Sequence, residues 1–149
     1  MRRSGFTLAE VLVVLVVIGI VSAAVAPALA RGARPHPVDA AAGEIRDLLA
    51  GARRTAVRRG TPVVVELDPR TGRYRVEADA GDGPPAKPIA EGVLQLPEGV
   101  APDAPAGTRR FTFGVLGAGQ GADVVMRGGG RTAAVGMDPW TGEVRATAR

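Results

Sequence analysis

The chain has 149 residues, a length that suits one domain of ordinary size, and its 19 basic and 15 acidic side chains give a net charge of +4. It contains no cysteine and a single histidine, His36. These counts exclude a disulfide framework, a thiolate zinc site, an iron–sulfur cluster and a cysteine nucleophile, and they argue against a Ser-His-Asp triad. We therefore expect a protein that is not an enzyme and that needs no cofactor or metal.

The first organised feature is a long apolar segment at residues 6–30. Its polar side chains are confined to Thr7, Glu10 and Ser22. As a helix its 25 residues would extend about 37 Å, which exceeds the hydrocarbon core of a bilayer, about 30 Å thick. Arg2 and Arg3 precede it and favour a cytoplasmic N-terminus. The segment thus predicts a single-pass protein of the cytoplasmic (inner) membrane, with the residues after 30 on the periplasmic or extracytoplasmic side.

Three interpretations of this segment compete. It resembles a cleaved secretory signal, with Ala28-Leu29-Ala30 as an A-x-A cleavage site, and it would also serve as a plain membrane anchor. Neither of these two interpretations accounts for Glu10, although a carboxylate at the centre of a spanning helix costs about 2.5–3.5 kcal/mol on insertion scales. The third interpretation gives this acid a role. If the chain were cut after Gly5, Phe6 would carry a new α-amino group four residues before Glu10, or on a neighbouring copy of the helix. The acid would then have an ionic partner in a medium of low dielectric constant.

The residues around this position carry a family resemblance. Gly5-Phe6-Thr7-Leu8-Ala9-Glu10, followed by a Val/Leu/Ile run, resembles the class III signal of type IV pilins and type II secretion pseudopilins. The resemblance implies that a prepilin peptidase/N-methyltransferase cleaves after Gly5 and methylates Phe6. It also implies that Glu10 aligns subunits by pairing with a neighbour's N-terminus, and that Pro27 bends the helix. Other pilins or pseudopilins and an inner-membrane assembly platform would be the partners.

The rest of the chain divides by composition. We expect a leader at 1–5, a transmembrane assembly helix at 6–30, a Pro/Gly joint at 31–38 and a globular domain at 39–149. His36 falls in the joint and is predicted to be solvent-exposed linker, and Asp39 is the predicted N-cap of the next helix. Residues 40–59 show helical periodicity and precede Gly60, a suitable C′ residue. The apolar stripe of this helix comprises Ala41, Ile45, Leu48, Leu49, Ala52 and Ala56.

Short strands and turns follow the helix. Asp68-Pro69-Arg70-Thr71-Gly72 is a good hairpin turn, and the same chemistry recurs at Asp138-Pro139-Trp140-Thr141-Gly142. Residues 79–88 and 97–107 are Pro/Gly-rich and are predicted loops. One amphipathic helix followed by many short strands predicts an α+β fold in which the helix packs on antiparallel sheet. The predicted strands are 63–67, 73–77, 93–96, 109–115, 123–127, 131–137 and 143–145.

Within the pilin-like proteins the body is similar to the GspH/FimT-type minor pseudopilins and minor pilins. The similar features are the helix end at residues 52–60, the strand Gly72-Arg73-Tyr74-Arg75-Val76, and the last strand, which opens on Thr141-Gly142-Glu143. The resemblance implies a pilin-like fold and a minor subunit of a type II secretion pseudopilus, which would contact secreted cargo. Family members commonly have a basic residue after the last glycine, where this chain has Glu143.

The alternative function is that of a minor type IV pilin, FimT-like, that binds and takes up DNA through arginine. A solvated helix end is the simpler explanation of the densest group of arginines, and DNA binding stays open as the alternative. The candidate DNA contacts are Arg53, Arg54, Arg58, Arg59, Arg145 and Arg149.

Overall fold

The computed structural model describes residues 8–32, 35–81, 83, 87–103 and 107–148, and within the first helix it describes the side chains of residues 8–23. The chain divides after Pro35 into two compact units, and each is described by itself. The first unit contains helix α1, Leu8–Gly32. The second contains helix α2, Pro37–Arg59, and all the strands of the described chain.

Helix α2 begins three residues before the predicted start, and the prediction of Asp39 as its N-cap was wrong. His36 is the N-cap, and its Nδ1 accepts a hydrogen bond from the amide of Val38 at 3.3 Å. Pro37 occupies the first helical position, where its fixed φ and missing N–H cost nothing. His36 is half-buried rather than exposed linker. Gly60 ends the helix in the left-handed conformation with φ of 60°, as predicted.

In the described part of the chain nine strands follow α2, and every pairing among them is antiparallel. One sheet has the order β3-β2-β1-β5-β6 and the other β4-β7-β8-β9. The strands are β1 Val63–Leu67, β2 Arg73–Ala78, β3 Ala90–Val93, β4 Ala101–Pro102, β5 Arg109–Phe113, β6 Gly119–Gln120, β7 Val124–Gly128, β8 Arg131–Met137 and β9 Val144–Ala148.

The core lies where α2 packs on both sheets, with contacts to β1 and β5 of the first and to β7, β8 and β9 of the second. The predicted stripe of α2 is buried, apart from Leu48, which is partly buried against the core. Its alanines allow a close approach of helix and sheet. The largest buried side chains from the strands are Phe111 and Phe113 on β5, Leu67 on β1 and Met126 on β7. The predicted α+β architecture is therefore confirmed.

The predicted strands at 109–115 and 123–127 differ by one or two residues from β5 and β7, and the short strand β6 was not predicted. Three other differences are informative. Strand β3 ends at Val93, where the prediction began it, because its partner β2 starts at Arg73 and Arg73 pairs with Val93. The predicted loop at 97–107 contains the short strand β4, which pairs with β7. The last strand runs to Ala148 rather than ending at Arg145, since β8 offers pairing as far as Ala133.

Candidate assembly helix and partner surface

Helix α1 carries the residues that the sequence assigned to assembly. Glu10 lies in its first turn and is the sole charged residue between positions 8 and 23. All the described side chains of α1 are exposed, including the uninterrupted apolar run from Val11 to Ile18. A helix that is apolar on every side needs cover from lipid or from other helices.

Only some of the other N-terminal predictions concern residues that the structure describes. Gly5 and Phe6 lie outside the described residues. Helix α1 continues through position 27, and the bend predicted at Pro27 stays a prediction. No helix among the residues that the structure describes is both long enough and apolar enough to cross a membrane.

The two Asp-Pro-x-x-Gly segments form closely similar turns in the body. The amide of Gly72 donates to the carbonyl of Asp68 at 2.9 Å, and the amide of Gly142 donates to the carbonyl of Asp138 at 2.7 Å. The aspartate side chains accept further hydrogen bonds from donors within each turn. Asp138 Oδ1 accepts from the amides of Trp140 and Thr141 at 2.9 and 2.8 Å. Both turns are thus closed by their own aspartate.

Hydrogen bonding to these carboxylates lowers their pKa. The amide of Arg70, and then the hydroxyl of Thr71, hold the pKa of Asp68 below its ordinary value of 3.8. The amide of Thr141, and then its side chain, do the same for Asp138. Because folding lowers each pKa, the charged carboxylates stabilise the fold above pH 3.8, and this contribution disappears as the pH falls through the folded-state values.

The pH dependence can be tested by removing both titrating groups. We expect the double variant Asp68→Asn, Asp138→Asn to lose less thermal stability than the parent chain when the pH falls from about 4 to about 2. Asparagine keeps the accepting oxygen but does not titrate in this range. Thermal unfolding of the full chain in detergent, followed by circular dichroism, measures the slope. Asp123→Asn is the control, since the Asp123 carboxylate accepts no hydrogen bond from the described residues. Equal slopes for all three chains would contradict the prediction.

Arg53 on α2 joins the second turn to a neighbouring loop. Its Nε donates to the carbonyl of Gly117 at 3.1 Å and to the carbonyl of Thr141 at 3.0 Å. Gly117 belongs to the loop between β5 and β6, which is closed by a bond of 2.9 Å from the amide of Gly114 to the carbonyl of Ala118. One guanidinium therefore fixes two loops that are far apart in sequence against the same helix. We call this set of contacts the Arg53 latch.

The latch lies beside a group of exposed apolar side chains. Leu116 and Trp140, each one residue before a carbonyl that Arg53 binds, are 91% and 88% exposed. Val57 lies one helical turn after Arg53 and is 47% exposed, and Val115 is 41% exposed. Of the large apolar side chains that the structure describes as exposed in the body, only Val93 lies elsewhere. We call Val57, Val115, Leu116 and Trp140 the end surface.

The candidate DNA contacts that the structure describes do not form one group. Arg53 donates to the two carbonyls of the latch. Arg145 forms an ion pair with Glu143, with 2.7 Å between Nη2 and Oε2. Arg149 lies outside the described residues. The remaining three are exposed on the last turns of α2 and have no hydrogen-bond or ion-pair partner in the described part of the chain: Arg54, Arg58 and Arg59.

The described residues include no group of three or more His, Cys, Asp or Glu side chains that could hold a metal ion. The arrangement that they do offer is an apolar helix with one acid, together with a body that fixes exposed apolar side chains.

Comparison with known protein families shows the class of protein to which the chain belongs. Residues 1–26 match the prokaryotic N-terminal methylation motif, which places the chain among proteins with a prepilin-type N-terminus. Residues 41–141 match the family described as type II transport protein GspH. The chain belongs to the GspH family and is a GspH/FimT-like pseudopilin, a structural component of type II secretion that associates with other pseudopilins. No curated protein and no solved structure was found to match it.

Proposed function

We propose that the chain is a minor subunit of a type II secretion pseudopilus and that α1 both anchors it and assembles it. The observation that carries this proposal is the presence of both matches in one chain: the methylation motif at 1–26 and the GspH body at 41–141. In this proposal residues 6–30 cross the cytoplasmic membrane, with the N-terminus in the cytoplasm and the body on the extracytoplasmic side. Extraction of the subunit from the membrane then builds the filament that serves protein secretion.

Processing prepares the helix for assembly. Hydrolysis of the peptide bond between Gly5 and Phe6 by the prepilin peptidase would leave an α-amino group on Phe6. Transfer of a methyl group to this nitrogen breaks the bond between the methyl carbon and its donor and releases one proton. The methylated amine stays basic and hence positively charged at neutral pH. In the membrane the new cation would be in a medium of low dielectric constant, where attraction to a carboxylate is stronger than in water.

Assembly then combines apolar packing with one ionic contact. The apolar side chains of α1 would pack against the same segment of neighbouring subunits, since the helix presents them on every side. The Glu10 carboxylate would pair with the Phe6 amine of a neighbour and so fix the axial position of one helix against the next. The body would present its loops to other pseudopilins or to secreted cargo.

Mass spectrometry of the membrane-extracted protein tests the proposal. We expect an N-terminal peptide that begins at Phe6 and carries one methyl group. A chain that begins at Arg31 would instead show cleavage after Ala30 as an ordinary secretory signal. That result, or an unprocessed chain that retains Met1, would overturn the assembly mechanism.

A further inference from the structure

A cavity lies on the outer face of the second sheet. On β8, Ala133 and Val135 belong to the core, so the alternate residues Ala134 and Gly136 belong to the opposite face of the sheet. Because these two residues are small, the middle of the sheet forms a low floor there. The cavity above this floor has a volume of about 400 Å³, which lies within the range of small-molecule sites, about 300–1,000 Å³. We call this cavity the trough.

The neighbouring strands supply polar walls to the trough. Thr147 on β9 lies opposite Ala134, and Arg145 lies opposite Gly136. On the side of β7 the carboxylate of Asp123 lies over Gly136, since a β-carbon added at Gly136 would be 2.8 Å from Asp123 Oδ1. Neither the Asp123 carboxylate nor the Thr147 hydroxyl has a hydrogen-bond partner in the described part of the chain. The walls therefore offer polar groups that a ligand can bind.

The turn at residues 138–142 closes one end of the trough. Asp138 and Glu143 line this end. Glu143 forms an ion pair with Arg145, whose remaining N–H groups are available to a ligand. Trp140 of the end surface lies within the same turn, and its amide donates to Asp138 Oδ1 at 2.9 Å. Its side chain is 88% exposed, so a flat aromatic face is accessible next to the polar lining.

The mixture of charges limits the chemistry of the ligand. The three carboxylates of the trough would repel an anion, and the Arg145 guanidinium would repel a cation. Hydroxyl groups suit such a lining, because each hydroxyl both donates and accepts hydrogen bonds. The exposed ring of Trp140 in addition favours a ligand with a flat apolar face. A neutral ligand with many hydroxyl groups and one flat face meets both conditions.

We propose that the trough binds a neutral oligosaccharide whose sugar rings are β-linked and carry equatorial substituents. Such a ring has its hydroxyl groups around the edge and C–H groups on both faces. One ring would stack on Trp140, and the hydroxyl groups of the next would bind Asp123 and Arg145. Glucose and N-acetylglucosamine units joined by β-1,4 bonds have this shape. The inference goes beyond the proposed function and does not depend on it.

Titration of the full chain with soluble saccharides tests the proposal. Trp140 is the single tryptophan of the chain, so its fluorescence reports directly on the stacking face. The probes are cellotriose and tri-N-acetylchitotriose, and the protein is kept in a detergent that has no sugar headgroup. We expect a saturable change in emission, with a Kd of about 1 mM or lower, for at least one of the two probes. Glycerol at the same concentration of hydroxyl groups has no flat face and should give no saturable change.

Variants assign the binding to the trough. Isothermal titration calorimetry is used for them, because Trp140→Ala removes the fluorophore. Trp140→Ala and Asp123→Ala should each raise the Kd by about tenfold, whereas Trp140→Phe keeps an aromatic face and should stay within about threefold of the parent chain. The control is Glu91→Ala, which removes an exposed acid from β3 in the other sheet and should leave the Kd unchanged.

Three results would overturn the proposal. The first is the absence of saturable binding by both saccharides. The second is binding that Trp140→Ala and Asp123→Ala leave unchanged. The third is binding of trilysine or triglutamate at least as tight as that of the saccharides, since the trough would then select a charged peptide. Both altered side chains are exposed, so the variants should keep the circular dichroism spectrum of the parent chain, and Trp140→Phe and Asp123→Asn repeat the test with smaller changes.

Discussion

Replacing Glu10 by alanine is expected to leave cleavage after Gly5 and methylation of Phe6 intact and to lower incorporation into filaments by at least about tenfold. The attraction between unit charges about 4 Å apart is about 1 kcal/mol in water but about 4 kcal/mol at an effective dielectric constant of about 20. Loss of one such contact per subunit would therefore shift the assembly equilibrium strongly. Mass spectrometry of the N-terminal peptide measures processing, and the sheared filament fraction measures incorporation.

Two variants show whether the charge of Glu10 is responsible. Glu10→Gln keeps the size of the side chain and removes its charge, so it should fail to assemble as Glu10→Ala does. Glu44→Ala removes an exposed acid from α2 and should assemble normally. Normal incorporation of Glu10→Gln would show that the carboxylate is dispensable, and the ionic part of the assembly mechanism would be wrong.

Periodicity and turn chemistry were sufficient to predict most of the fold. The stripe on α2 and the strands at 63–67 and 131–137 were predicted with the bounds or burial that the structure has, because alternation and helical spacing are local properties. The start of α2 was missed because Asp39 was given more weight than Pro37. In the structure the Asp39 carboxylate forms an ion pair with Arg131, with 3.7 Å between Oδ2 and Nη1. Pro37, at the first helical position, marks the start of the helix.

The functional features also differ in whether they could be predicted from the sequence. The segment from Gly5 to Glu10 could be interpreted from sequence, since its residues are contiguous and their order carries the information. The role of Arg53 could not, because the carbonyls that it binds lie 64 and 88 residues further along the chain. From sequence alone it was grouped with Arg54 and Arg58 as a candidate DNA contact. Only the tertiary structure separates an arginine that organises loops from arginines that face solvent.

The Arg53 latch makes Gly142 far less tolerant of substitution than Gly60. Both glycines have positive φ, 63° and 60°, so alanine at either position pays a similar backbone cost, about 1–2 kcal/mol. At Gly60 a β-carbon meets no atom within 4 Å. At Gly142 it would overlap the carbonyl oxygen of Gly117 and lie 3.2 Å from Arg53 Nε. The turn must therefore move away from the loop and from the guanidinium.

We accordingly expect Gly60→Ala to lower the free energy of unfolding by about 1 kcal/mol and Gly142→Ala to lower it by about 3 kcal/mol or more, since the second variant also loses hydrogen bonds worth about 1 kcal/mol each. Chemical unfolding of the full chain in detergent measures both values. Trp140, the single tryptophan of the chain, lies inside the affected turn, and its near-ultraviolet circular dichroism should change in Gly142→Ala but not in Gly60→Ala. If the two variants were equally stable, the close packing of the turn on the loop at Gly117 would not contribute to folding.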